Sequence, residues 1–228
     1  MTWALLPAAG SGRRFGGEVP KQYLRAAGKP LIEHALDALL SHPGVAGVVV
    51  ALSADDAHWP GWTRLHGKPV VACTGGGERA DSVLAALHAL PETIADGELL
   101  LVHDAARPNL RAGDIAKLID AAGACADGAI LAAPVRDTLK RAAADATIAA
   151  TEPRDGLWRA LTPQAFRRGL LRRALEGAKA AGIAVTDEAM AVERLGLRPL
   201  LVEGREDNLK VTTPADLALA EFLLARRA

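Results

Sequence analysis

The 228-residue chain is 50% hydrophobic and 24% charged, and its 27 Lys and Arg are matched by 27 Asp and Glu for a formal net charge of +0. A nucleic-acid binder is expected to carry a basic excess, and a disordered chain to combine low hydrophobicity with high net charge, so neither class fits. Any anion handled by this protein must be met by charge sorted locally. The length corresponds to one or two domains at about 150 residues each, and a single fold of this size buries about 70% of its unfolded surface. One domain over residues 1–228 is expected.

In chain order, short β-branched or aliphatic runs alternate with longer segments of helical period, the pattern of an α/β sandwich around a largely parallel sheet. A strand is predicted over residues 2–6, followed by a helix opened by Pro30 in its first turn, with Leu31, Ile32, Ala35, Leu36, Leu39 and Leu40 on one face. Strands over 46–52 and 69–73 come next, then a helix carrying Val83, Leu84, Leu87 and Leu90. A strand over 98–102, a helix carrying Ile115, Leu118, Ile119 and Ala122, and a strand over 129–133 continue the alternation.

Residues 136–153 break this rhythm: short strands over 137–141 and 146–151 flank the polar turn Ala144-Asp145. So thin a hairpin does not hold itself together in water, and it is read as a projecting arm supported by a partner subunit. A flexible surface loop is the alternative reading. The last strand, over 199–202, precedes a helix announced by Thr213-Pro214-Ala215-Asp216 as N-cap, first-turn proline and early acid, and closed by the basic tip Arg226-Arg227.

Residues 3–9 are apolar without a preceding basic stretch, and no apolar export core follows Arg13-Arg14, so no signal peptide is predicted. The longest apolar runs, such as residues 45–52, fall well short of the roughly 20 needed to span a bilayer. Cys73 and Cys125 form neither a C-x-x-C pair nor a His/Cys cluster and are read as buried thiols in a reducing compartment, which fits a cytoplasmic protein.

Three segments have the composition of an anion site. Pro7-Ala8-Ala9-Gly10-Ser11-Gly12-Arg13-Arg14 follows the first strand directly. Glycines there let backbone N–H groups approach phosphate oxygens, and Arg13, Arg14 and Lys21 supply positive charge. Neither a Walker A loop nor G-x-G-x-x-G fits the spacing, because Glu18-Val19 follows Gly17 and Phe15 stands where the third glycine is needed. Thr74-Gly75-Gly76-Gly77-Glu78-Arg79-Ala80-Asp81-Ser82 again places glycines between a strand and a helix, so that N–H groups and the Ser82 hydroxyl can contact a base or ribose. His103-Asp104-Ala105-Ala106-Arg107 lies beyond another strand's carboxyl end, where open α/β sheets bind ligands, and Asp104 is a candidate Mg²⁺ ligand. Each segment also has a plainer reading, as a glycine turn with solvated arginines or as a loop fixed by a His-Asp hydrogen bond.

The ordered set Pro7 to Arg14, Pro20-Lys21-Gln22-Tyr23-Leu24, Gly76 to Ser82, Val102 to Pro108, Ala133 to Thr138 and Asp207 to Thr212 closely resembles the 2-C-methyl-D-erythritol 4-phosphate cytidylyltransferases. The resemblance implies a Rossmann-like nucleotidyltransferase sandwich, Mg²⁺-dependent use of CTP in the non-mevalonate isoprenoid pathway, and a homodimer whose arms cross. It implies that Arg14 and Lys21 stabilise charge on the reacting phosphate, and that Ala8, Ala9, Gly10, Ser11, Gly12, Gly76 and Ser82 form the CTP pocket. Asp104, Arg107, Thr138, Arg154 and Lys210 are the implied methylerythritol phosphate site, with Thr138 and Arg154 donated by the partner's arm. Gly77 departs from the acidic residue found in some relatives, which bears on a minor contact near the base or ribose.

An acceptor phosphate is ionised at neutral pH and attacks the α-phosphate of CTP without a general base, consistent with the lack of a Ser/His/Asp or Cys/His constellation. The protein must align two anions and stabilise the added charge at phosphorus. Competing readings are a sugar-nucleotide pyrophosphorylase, a cytidylyltransferase acting on ribitol phosphate, and a nucleotide-binding sensor without turnover.

Overall fold

The computed structural model describes residues 1–10 and 19–226. β1 (Thr2–Pro7) leads to a short hairpin, β2 (Arg25–Ala26) and β3 (Lys29–Pro30), then to α1 (Leu31–Leu40), β4 (Val45–Leu52), β5 (Arg64–Leu65) and β6 (Lys68–Thr74). α2 (Arg79–His88), β7 (Leu99–Val102), α3 (Ala112–Ala124) and β8 (Ala129–Pro134) complete the regular alternation. The hairpin β9 (Leu139–Ala142) and β10 (Ile148–Glu152) is followed by β11 (Trp158–Arg167), α4 (Arg168–Ala180), α5 (Glu188–Glu193), β12 (Leu200–Glu203) and α6 (Pro214–Ala225).

Eight strands form one sheet in the order β12-β8-β11-β7-β1-β4-β6-β5. β7, β1, β4 and β6 run parallel to one another, as do β8 and β12, whereas β11 is antiparallel to both its neighbours and β5 to β6. Alternating side chains divide the core. Ala4, Leu6, Val48 and Val50 pack with Ile32, Leu36, Ile115 and Leu118 of α1 and α3. Trp3, Leu5, Val49 and Leu100 pack on the other face with Val83, Leu87, Leu171 and Leu175 of α2 and α4. With both faces covered, β4 reads as a continuous aliphatic run rather than an alternating one.

All six predicted strands are present, with bounds moved by one or two residues, and α6 begins as expected: Thr213 is its N-cap, Pro214 its first residue, and Asp216 Oδ2 accepts from the Thr213 amide. Three readings need correction. Pro30 ends β3 and occupies the N-cap position of α1 instead of its first turn. β11 was not anticipated because Pro163 argues against a central strand. The proline falls where the β11–β8 ladder shifts register between Ala160 and Gln164, so its missing N–H costs no regular ladder bond. Cys73 and Cys125 are free thiols but half-buried rather than buried.

The segment 136–153 does contain an antiparallel hairpin, pairing Glu152 with Leu139 and Ile148 with Ala142. Its strands begin two residues later than expected, and the turn between them spans residues 143–147. The Ala143 amide donates to the Thr147 carbonyl, Ala146 has a φ of 63°, and Asp145 Oδ1 accepts from the Thr147 amide and hydroxyl. Lys140 and Thr151 bond across the strands at 2.6 Å, while Ile148 at the far end is 67% exposed.

Candidate functional site

Three loops at the carboxyl ends of β1, β6 and β7 meet over the sheet, where parallel strands leave a crevice. The first begins at Ala8, whose amide donates to the Ala51 carbonyl and whose own carbonyl accepts from Gln22 Nε2 at 2.7 Å. That bond joins the loop to the segment carrying Lys21. The second loop is pressed against the first. A Cβ on Gly75 would lie 2.7 Å from the Ala9 methyl, and one on Gly76 would lie 2.3 Å from Asp81 Cβ, so both positions require glycine. Gly76 N donates to Ser82 Oγ at 3.2 Å, and the Ser82 hydroxyl is in reach of the Glu78 carbonyl, so that hydroxyl shapes the turn as well as lining the crevice. A Cβ on Gly77 meets nothing within 4 Å, so the departure from the family pattern there leaves the backbone undisturbed.

The third loop is built around buried hydrogen bonds. His103 is fully buried, and burial pushes its imidazole down to about 4, so it is neutral near pH 7. Its Nε2 faces the Arg107 carbonyl at 3.1 Å, an acceptor, and therefore carries the proton. Nδ1 then accepts from the Thr162 hydroxyl at 3.0 Å, and that oxygen accepts the Asp104 amide at 3.0 Å. His103 thus orients the loop and carries no exchangeable charge into the crevice.

Asp104 is the electrostatic centre. Its Oδ1 accepts from Arg79 Nε at 2.9 Å; its Oδ2 lies 2.9 Å from Lys210 Nζ and 3.4 Å from Arg107 Nε. Burial alone would raise this carboxyl, but the charges of Arg79, Lys210 and Arg107 outweigh it and hold the group well below the usual carboxylate range. Arg107 also donates to the Asn208 carbonyl at 2.7 Å, and the Val211 amide to the Ala106 carbonyl at 2.9 Å, which seats the Lys210 segment beside the third loop.

A cavity of about 360 Å³ opens between these loops. Among the described residues its wall includes Ala8, Ala9, Gly10, Lys21, Gly76, Ser82, Asp104 and Lys210, all singled out from the sequence. Ser11, Gly12, Arg13 and Arg14 lie outside the described residues. Arg107 is beneath the wall, 8% exposed, with its guanidinium spent on Asp104 and Asn208. Thr138 and Arg154 are exposed on and beside the arm, away from the cavity of their own chain, and the Arg154 guanidinium bonds the Arg136 carbonyl. The charged wall residues are Lys21, Arg79 and Lys210 against Glu78 and Asp104, so the locally sorted charge expected to meet an anion is only mildly cationic in the described part of one chain.

Arg79 and Glu188 were not assigned from the sequence. Arg79 Nη1 and Nη2 donate to Glu188 Oε1 and Oε2 at 2.5 and 3.1 Å. Burial would lower the Arg79 guanidinium, but Glu188 and Asp104 raise it above its ordinary value. A weak local signal existed: Arg79 is the first residue of α2, where the helix dipole disfavours a cation and neighbouring carboxylates offset the cost.

The described residues contain no group of three or more His, Cys, Asp or Glu disposed to hold a metal. Asp104 Oδ1 accepts one N–H and so retains a second lone pair. That fits a divalent ion taking Asp104 as its one protein ligand, with phosphate oxygens and water completing the shell, a common arrangement for Mg²⁺. Asp207 is bound at both oxygens by Arg205, at 2.9 and 2.7 Å, and does not line the cavity. No helix among the described residues is long and apolar enough to cross a membrane.

Residues 2–226 match the family model described as 2-C-methyl-D-erythritol 4-phosphate cytidylyltransferase, IspD. The chain is 64% identical over 225 residues to a protein of that name from Xanthomonas campestris pv. campestris, covering 99% of this chain and 85% of the relative. It is 63% identical over 226 residues to one from Stenotrophomonas maltophilia, covering 99% and 97%. The crystal structure of 2-C-methyl-D-erythritol 4-phosphate cytidylyltransferase from Thermus thermophilus superposes with a TM-score of 0.80 at 35% identity, covering 98% of each chain.

Proposed function

The chain belongs to the 2-C-methyl-D-erythritol 4-phosphate cytidylyltransferase family, and we propose that its cleft transfers the cytidylyl group of CTP to the phosphate of 2-C-methyl-D-erythritol 4-phosphate, releasing pyrophosphate. The observation that carries this reading is the family match over residues 2–226 on a chain whose cleft is lined by Lys21 and Lys210 as well as by two close-packed glycine loops.

In this reading the loops at residues 8–10 and at Gly76 enclose the nucleotide, with Ser82 holding the second loop in shape. Arg14 and Lys21 stabilise charge that grows at the α-phosphate as the acceptor phosphate attacks in line. Lys210 receives the acceptor phosphate. Asp104 holds Lys210, and Arg107 holds the segment from which Lys210 projects. No side chain has to remove a proton, because the attacking oxygen is already ionised; the buried neutral His103 accords with this. Mg²⁺, with Asp104 as its protein ligand, would neutralise triphosphate charge when bound.

One domain spans residues 1–228, and two copies associate through the arm at 136–153. That association brings Thr138 and Arg154 of one copy to the acceptor side of the other's cleft. It accounts for their separation from the cavity of their own chain and for exposed Ile148, Leu157 and Trp158 on and beside the arm.

Pyrophosphate release measured with CTP, ATP and UTP against a panel of phosphorylated acceptors tests the proposal. Turnover is expected with CTP and methylerythritol phosphate. Equal turnover with ribitol phosphate or a sugar 1-phosphate, or none with any pair, would overturn it.

A further inference from the structure

Glu188, the first residue of α5, is 1% exposed, and no step described above uses it. A carboxylate buried this deeply is costly unless fully paired. Its partner is Arg79, 109 positions away in sequence, which grips both its oxygens in a bidentate fork. The other edge of that guanidinium donates through Nε to Asp104 Oδ1, leaving Asp104 Oδ2 for Lys210. A continuous line therefore runs from Glu188 through Arg79 and Asp104 to Lys210. Its origin is firmly fixed: Asp187 caps α5 by accepting from the Met190 amide at 3.0 Å, and Gln164 of β11 bonds both Asp187 Oδ2 and the Ala189 amide.

We propose that Glu188 is a positioning residue for the acceptor phosphate: by occupying the fork of Arg79, it keeps Asp104 Oδ2 available to hold Lys210 in the cleft. A guanidinium released from Glu188 takes the nearest carboxylate at both oxygens, as forks on carboxylates do, and that carboxylate is Asp104. Lys210 then loses its anchor. The inference rests on the reading of Lys210 as the residue that receives the acceptor phosphate.

The test is a double-mutant cycle on the full chain with Glu188→Gln, Lys210→Ala and the pair, reading the KM for methylerythritol phosphate and for CTP separately. Glu188→Gln should raise the acceptor KM about tenfold and leave the CTP KM within about twofold, and the double variant should match Lys210→Ala alone. Glu188→Asp, which keeps the charge on a shorter stem, should recover part of the loss. Increments that multiply in the double variant, or equal rises in both KM values, would show a merely structural carboxylate and overturn the proposal. If Glu188→Gln does not fold, Arg79→Lys serves in the same cycle, since an ammonium has no fork to span both carboxylates. An unchanged acceptor KM in Lys210→Ala would sink the underlying reading of Lys210. An affected Lys210→Ala beside an unaffected Glu188→Gln would sink this inference alone.

Discussion

Lys210→Ala removes an ammonium that lies 2.9 Å from Asp104 Oδ2 with 35% of its side chain exposed. Two unit charges 4 Å apart attract by about 4 kcal/mol at an effective dielectric of about 20. Solvent screening at a one-third-exposed group and the opposing charge of Asp104 both reduce that attraction. A loss of about 2 kcal/mol in acceptor binding is therefore expected, or roughly 30-fold in the acceptor KM. Stability should respond much less, because Asp104 retains Arg79 and Arg107 and is not left as an unpaired buried carboxylate. For a domain of this size a change of about 1 kcal/mol moves Tm by about 2–4 °C, and the shift should not exceed that. The assay is steady-state pyrophosphate release, varying acceptor at saturating CTP and then the converse, with thermal unfolding of the same preparations. An acceptor KM within about twofold of the parent, or a CTP KM rising as far as the acceptor KM, would refute the reasoning.

Arg14→Ala and Lys21→Ala should each lower kcat at least about 10²-fold, the usual loss of about 3 kcal/mol for one transition-state donor, with the unfolding transition preserved; near-normal turnover by either refutes its role. His103 has its own pH signature. Its folded value of about 4 lies below the ordinary 6.5, so between these pH values the unfolded chain binds the extra proton, and stability falls as pH drops from about 6.5 to about 4. The loss amounts to about 3 kcal/mol over that window, and His103→Gln should flatten it in urea titrations run at each pH; an unchanged slope counts against a buried neutral imidazole. If Arg154 acts in the partner's cleft, mixing Arg154→Ala with Lys210→Ala after subunit exchange should restore activity that neither variant has alone. Mixtures no more active than the sum of their parts place Arg154 in its own chain's site.

Much of the site was legible because its parts are local. The glycine loops after β1 and β6 and the Asp104 loop after β7 each follow a strand whose aliphatic run is visible in the sequence, and Ala8, Ala9, Gly10, Gly76, Ser82 and Asp104 on the cavity wall come from those segments. Arg107 illustrates the limit. Its residue type and place matched a substrate-binding arginine, but its guanidinium is buried against Asp104 and Asn208, and only packing decides between those uses. β11 escaped because a proline inside a strand contradicts the local pattern, and the register shift that accommodates it, between Ala160 and Gln164, exists only once β11 is paired with β8.

The net charge of +0 argued against a polyanion binder, and it was silent about how charges are shared within the cleft. By itself the sequence determined the alternation of strands and helices, the loops that meet at the sheet's carboxyl edge, and the family, because hydrophobic period and motif order are written along the chain. Only the tertiary structure decided that Asp104 is gripped by three cations, that Arg79 is held by Glu188 from 109 positions away, and that Thr138 and Arg154 lie apart from their own chain's cavity. Charge pairs across such separations leave no period in the sequence; they exist because burial makes an unpaired charge too costly, and the fold must bring the partner.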